Sequence, residues 1–433
     1  MSFRSMVEPG PEAPGSDETA QNRHYPTHRS PTPTSNPTQP QILHRMPEPP
    51  TQGPRAGSNY PPETTTYTDP NSGATVRRLT SYPGQTDLHL YPTTDGWYDD
   101  GRRLLFRSFR AGSRQLFSID LESGLITQVT DVEGFGGSTK VDADAGEAYF
   151  WVDDQLVALD LSSLRVRDVV YEVPEGWRRG TLDVAADGSR FYVTISEPVD
   201  LPGERSGFVE RAAADAETRL LAVPADGGDP EVVFEAEGWW GTHVDASPTR
   251  PELVMHVLQG PWRDIEDKIW VQDAETGERW SVRPTPGPDG VGHQHWLADG
   301  ERVGYHGHEG RWREDDDADY FYGHARYDGT DRVETEIPLR HTHAHTLTPD
   351  AFVIDGSPDV PHPLLYRWDE EAEEYDGPRV LATHDWGPDS PDPHSRFSPD
   401  GERVLFDSNR YDGSGNLYLV EIPDFEDLPE FEG

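Results

Sequence analysis

The sequence predicts an all-β chain folded as a seven-bladed β-propeller. Three observations carry this: a repeated two-strand unit, regular spacing of its turns, and one strand left over before the first repeat. The unit is an Asp-Gly or equivalent turn, an alternating strand, then a second strand that often ends in Asp. It reads DDGRRLLFRSF with QLFSIDLESGLITQVT, then DAGEAYFWV with QLVALDLSSLRVRDVV, then ADGSRFYVTI with RLLAVPADGGDPEVVF. It continues as PTRPELVMHV with KIWVQDAETGERWSV and ADGERVGYHG with ARYDGTDRVETEI. The last two are TPDAFVIDG with LLYRWDEEAEEYDGPRVL, and PDGERVLFDS with LYLVEIPDF. The turn anchors Gly101, Gly146, Gly188, Pro251, Gly300, Ala351 and Gly401 lie 42 to 63 residues apart. Repeats of that length, with three or four short strands each, are propeller blades. Two stacked sandwiches would not predict a fixed repeat. ATVRRLT, residues 74–80, has no repeat of its own and suits closing the ring against the last blade.

Ahead of the repeats, residues 1 to about 70 are rich in Pro, Thr, Ser and Gln, as in THRSPTPTSNPTQPQ. Such a segment buries too little apolar surface to offset its ordering entropy, so a disordered tail is expected there, with the propeller over 71–433.

Composition narrows the function classes. The 80 acidic residues outweigh 37 basic ones for a net charge of −43, and only Lys140 and Lys268 are lysines. A field of that sign repels phosphate, which argues against a nucleic-acid partner. An acidic, lysine-poor chain suits a salt-loaded cytosol, as in haloarchaeal proteins. The 12 Trp, 17 Tyr and 15 Phe fall in strand patterns and argue for a folded core. With no cysteine, disulfides, thiolate metal sites and cysteine nucleophiles are excluded. No apolar run nears the ~20 residues of a membrane span, and the N-terminus lacks an apolar signal core, so the expected location is cytoplasmic with no membrane partner.

Blade entries converge on one face of a propeller's channel, and here they are rich in histidine. Blade four opens with GTHVDASP (His243), blade five with GVGHQHWLADG (His293, His295) and blade six with RHTHAHTLTPD (His341, His343, His345). Blade seven opens with DSPDPHSRFSPD (Asp389, Asp392, His394). Eleven of the 17 histidines lie between 293 and 394. Imidazoles and carboxylates gathered on an axis make a site for a borderline divalent ion such as Mn²⁺, Fe²⁺ or Zn²⁺. The alternation of HTHAH places its three side chains on one strand face.

From about residue 72 to 423 the chain resembles the oligogalacturonate lyase family, pectin-degrading lyases on a seven-bladed propeller. The resemblance rests on the order of SGATVRRLT, DGRRLLF, VYEVPEGW, TRLLAVPADGG, GTHVDASP, QGPWRDIEDKIW, GHQHWLADG, VIDGSP and PHSRFSPDGERVLFDSNR. It implies β-elimination on short oligogalacturonides with a divalent metal, Mn²⁺, as cofactor. It implies His243 as catalytic histidine with Arg219 beside it, and His345 touching substrate; Arg263 is a further candidate for the substrate's negative charge. His293 and His394 fall on metal ligands, while Asp392 and Asp389 stand where the family has His and Gln. Oxygen donors at both positions make the site harder and more anionic, suiting Mn²⁺ or even Ca²⁺. Two readings from other classes stay open: a propeller that binds carbohydrate or protein without catalysis, and a metal-dependent hydrolase or epimerase.

Overall fold

In the computed structural model of the chain, the described residues run from 47 to 431, apart from 200–213, 215, 239, 260–264, 266, 286–288, 311–318, 341–342 and 387–389. Strand dominates, and the described residues form seven separate antiparallel sheets. Each is one blade, and five run as simple four-stranded up-and-down meanders. Blade two is Phe135–Asp142, Glu147–Val152, Gln155–Asp160 and Arg165–Glu172. Blade three is Arg178–Val184, Arg190–Ser196, Glu217–Pro224 and Glu231–Glu237; blade four is Trp240–Ala246, Leu253–Gln259, Ile269–Asp273 and Arg279–Ser281. Blade five is Gly290–Trp296, Arg302–Glu309, Asp319–Arg326 and Val333–Ile337; blade six is Ala344–Thr346, Ala351–Ile354, Leu364–Asp369 and Glu374–Val380. The repeat units predicted from the turns are therefore present in order, tied by Gly101, Gly146, Gly188, Gly300 and Gly401, all at positive φ where glycine is free of Cβ strain.

The ring closes as the spare strand predicts. Blade seven takes Arg396–Phe397, Arg403–Ser408 and Asn416–Glu421 from the end of the chain and Thr75–Arg78 from its beginning. Val76 pairs with Val420 and Arg78 with Tyr418.

The boundary expected at residue 70 falls too late. Thr65–Thr68 adds a fifth strand outside Thr75–Arg78, and Asn59–Tyr60 adds an outer strand to blade one, pairing with Ile126–Gln128. Gln52 hydrogen-bonds Val129 O at 2.9 Å, and buried Asp69 receives Thr383 N–H at 3.0 Å. Backbone pairing holds these polar residues where their composition offers no core, so residues 47–70 belong to the folded unit. Residues 1–46 of the expected tail lie outside the described residues.

The core lies between neighbouring blades rather than at the axis. Leu105 and Leu116 of blade one pack on Phe150 and Val157 of blade two, and Val353 and Leu365 of blade six pack on Phe406 and Val420 of blade seven. Period-2 strands buried on both faces explain why alternating runs such as LLF and FWV are apolar throughout. This leaves the axis to polar side chains. No helix among the described residues is long and apolar enough to cross a membrane.

Candidate active site and metal centre

The inner strands of blades four and five each carry a one-residue bulge at their histidine. Thr242 pairs with Val257 but Asp245 with Met255; Gly292 pairs with His306 but His295 with Gly304. The extra residue puts His243 at φ 53° and His293 at φ 48°, and His394 at the entry of blade seven has φ 51°. Left-handed backbone is uncommon for a residue with a side chain, though His tolerates it better than most, and it costs about 1–3 kcal/mol. Three separate blades spend that energy on the same residue type at the same place. The bulge re-aims each imidazole out of the sheet plane toward the channel.

The rings form one continuous arc. His243 stacks on Tyr91 with centroids 6.0 Å apart, and Tyr91 meets His394 at 5.2 Å. His394 meets His343 at 4.4 Å, and His343 meets His293 at 4.3 Å. His293 Nδ1 then lies 2.7 Å from His306 Nε2. Blades four, one, seven, six and five thus contribute to one mouth.

Within it, donor atoms of His343, Asp392 and His394 lie within 4.8 Å of one another. His343 Nδ1 donates to buried Asp355 Oδ2 at 2.9 Å, which leaves Nε2 as the lone-pair nitrogen. Asp355 also accepts the N–H of His394 at 3.0 Å and of Ser395 at 2.7 Å. The His343 bond and charge first, then the His394 ring and the Ser395 N–H, hold its carboxyl well below the usual range despite burial. Burial pushes Asp392 up and His394 down to about 3. His293 opens to the channel yet is walled by protein, and that desolvation, with His343 beside it, keeps it neutral.

On the other side of His243 lies a cavity of about 230 Å³, lined by Tyr91, Arg107, Ser138, Lys140, Thr181 and others. Lys140 bridges Asp183 at 3.0 Å and Asp245 at 3.1 Å. Burial, with Lys268 and then Lys140 nearby, lowers His243 to about 4. Both lysines of this arginine-rich chain therefore act on the same imidazole. Desolvation brings Lys268 itself down to about 7.

The other expected residues fare differently. Arg219 lies on the third strand of blade three, bound to Glu217 at 2.5 Å and over the Trp177 ring at 4.6 Å; it makes no hydrogen bond or ion pair with His243 among the described residues. His345 is 4% exposed, stacked on His295 at 4.9 Å, and its Nδ1 accepts Phe397 N–H at 3.3 Å. It packs one level below the mouth, out of reach of the substrate contact expected of it. Arg263 and Asp389 lie outside the described residues. Sequence reading named His343 only as one of the three blade-six histidines, and it passed over Asp355 and Tyr91. The H-x-H spacing shared by blades five and six was the available signal, since it puts the histidines of each run on one strand face.

A family model described as oligogalacturonate lyase matches residues 56–313. An oligogalacturonide lyase of Pectobacterium atrosepticum is 24% identical over 403 residues, covering 85% of this chain and 98% of that protein. A solved oligogalacturonate lyase in complex with manganese superposes with a TM-score of 0.74 at 24% identity, over 85% of this chain and 98% of its own. One from Vibrio parahaemolyticus gives 0.74 at 21%, over 85% and 99%.

Proposed function

This chain belongs to the oligogalacturonate lyase family, and from that premise we propose that short oligogalacturonides are cleaved by β-elimination at the arc of rings. In this reading His243 is the base, Tyr91 the proton donor, and His293, His343, Asp392 and His394 hold a manganese ion. Three imidazoles and one carboxylate suit a borderline divalent ion, and the Asp355–His343 bond supplies the orienting contact such ligands use. Bound by these residues, the ion would supply positive charge to neutralise the uronate carboxylate and the charge that develops on it, an effect worth several kcal/mol.

The remaining work falls to the chain. The C5 proton, α to the carboxylate, passes to an imidazole nitrogen of His243. The freed electron pair becomes the C4=C5 double bond, the C4–O bond breaks, and the departing oxygen takes a proton from the Tyr91 hydroxyl. No water is consumed. His243 at about 4 is neutral and ready to accept at pH 7. Burial, with Asp245, Asp392 and Asp355 near, raises Tyr91 to about 12, so it keeps its proton until the oxygen leaves. Lys140 and Lys268 are the cations that act on this base.

The ring arc from His243 through Tyr91 to His394 carries this reading, because it puts base, acid and cation ligands around one opening. The test is incubation with di- and trigalacturonate in high salt with Mn²⁺, following absorbance of the conjugated product. His243→Ala should lose roughly 10²–10⁴-fold in rate with metal content unchanged. Reducing ends without absorbance would mean hydrolysis, and neither signal would mean a binding propeller.

A further inference from the structure

We infer that a second divalent cation, of the Mn²⁺, Fe²⁺ or Zn²⁺ class, is held between His89, Asp407 and His394, in a more buried position than the mouth centre. The donor atoms of these three side chains lie within 4.8 Å of one another. His89 follows the first inner strand of blade one, Asp87–Leu88, and Asp407 lies on Arg403–Ser408 of blade seven. His89 is 2% and Asp407 1% exposed.

Two observations point to a ligand. Neither ring nitrogen of His89 meets a partner at good hydrogen-bond geometry, although both are shut away from solvent and the Pro393 backbone lies near. Buried polar groups are seldom left so. Second, His89 Nε2 stands 3.8 Å from Asp407 Oδ2. That is too long for a hydrogen bond. Two donors each about 2.1 Å from one ion lie roughly 3.4–4.2 Å apart, so the gap matches a shared cation.

The backbone fixes the donors in advance. Asp407 Oδ1 accepts His89 N–H at 3.1 Å, and Asp407 N–H donates to Pro393 O at 2.8 Å, next to His394. Arg107 faces the same pocket, donating to His89 O at 2.8 Å. Its charge opposes the cation and makes this the weaker of the two sites. Two imidazoles and a carboxylate select a borderline ion rather than Ca²⁺ or Mg²⁺. Buried between two blades, such an ion would act structurally: it would fix the His394 ring and tie blade one to blade seven. The inference rests on the proposed mouth centre only through the shared His394.

The experiment counts ions. The full chain is dialysed to equilibrium with Mn²⁺, and separately with Zn²⁺, in high salt, and metal per chain is measured by elemental analysis. Wild type should hold two ions; Asp407→Asn and His89→Phe should each hold one, and Asp392→Ala should retain the buried one. Asp407→Asn is isosteric and keeps the count interpretable if His89→Phe does not fold. One ion in wild type that Asp407→Asn keeps and Asp392→Ala loses overturns the second site and leaves the mouth centre standing, whereas one ion with the reverse pattern overturns the mouth centre instead. No ion in wild type overturns both, and two ions retained in Asp407→Asn also overturns the second site.

Discussion

His343 and Asp355 form a buried pair, with Nδ1 2.9 Å from Oδ2, and the same carboxylate takes the backbone N–H of His394. One side chain therefore sets both the tautomer of the blade-six histidine and the position of the blade-seven one. Neither outcome depends on a cation being there first, so the mouth is organised by the protein itself.

Asp355→Asn should weaken metal binding about 10–100-fold while the ring scaffold stays intact. An Asn amide can still face the imidazole, but it cannot hold Nδ1–H as a charged acceptor does. Competition against a fluorescent chelator, with circular dichroism as the fold control, measures this.

Asp392→His should shift the site toward softer ions. Exchanging an oxygen donor for imidazole favours Zn²⁺ over Mn²⁺, so the ratio of the two dissociation constants should move in favour of Zn²⁺. An unchanged ratio would remove Asp392 from the donor set.

Tyr91→Phe keeps the ring that stacks on His243 and deletes only the hydroxyl. The expected result is a fall of roughly 10²-fold in kcat with little change in KM, since the lost proton transfer belongs to the transition state. A change confined to KM would mark Tyr91 as a binding residue.

Acid should destabilise the metal-free protein early. Burial lowers His243, His324 and His384 to about 4 and His256 to about 3, against about 6.5 in the unfolded chain. Between those values the unfolded state binds more protons, so stability is full above about pH 6.5 and declines as pH falls toward 4. Asp245, raised to about 6, acts in the opposite direction, as do the raised Asp87, Asp392 and Asp407, but the lowered histidines outnumber them. Melting temperatures from pH 7 to pH 4 at constant salt should fall from about pH 6.5 downward.

Dilute buffer should raise KM for digalacturonate. Near-molar salt shortens the screening length to about 3 Å, hiding a net charge of −43 from an anionic substrate. At tens of millimolar that field reaches the mouth, where Lys140 and Lys268 are the nearby cations acting on His243. Turnover undiminished in dilute buffer would sink this prediction.

The fold was legible because its signals are local. Asp-Gly turns and period-2 strands recur at fixed spacing, and the spare strand at 74–80 finds its blade partner in Asn416–Glu421. The strands Asn59–Tyr60 and Thr65–Thr68 were hidden in polar, Pro-rich sequence, since edge pairing asks for backbone rather than side chains. At the site, blade entry was enough to single out His243, His293 and His394. Alternation could not say that His343 reaches the mouth while His345 packs beneath it, because depth along the axis leaves no mark on period. Asp355 was unreadable for another reason: its role is defined by a partner twelve residues away and a loop forty residues on.

The segment from Asn59 to Thr68 fastens to blade one at one end and to blade seven at the other. A propeller sprung apart would have to part between these two blades or tear a meander. Here that junction is bound twice, inside by Thr75–Arg78 and along the rim by this short hoop. Tyr91 stands on one side of the junction and His394 on the other. The distance between acid and cation ligand is thus guarded by residues at the outer circumference, far from any sugar.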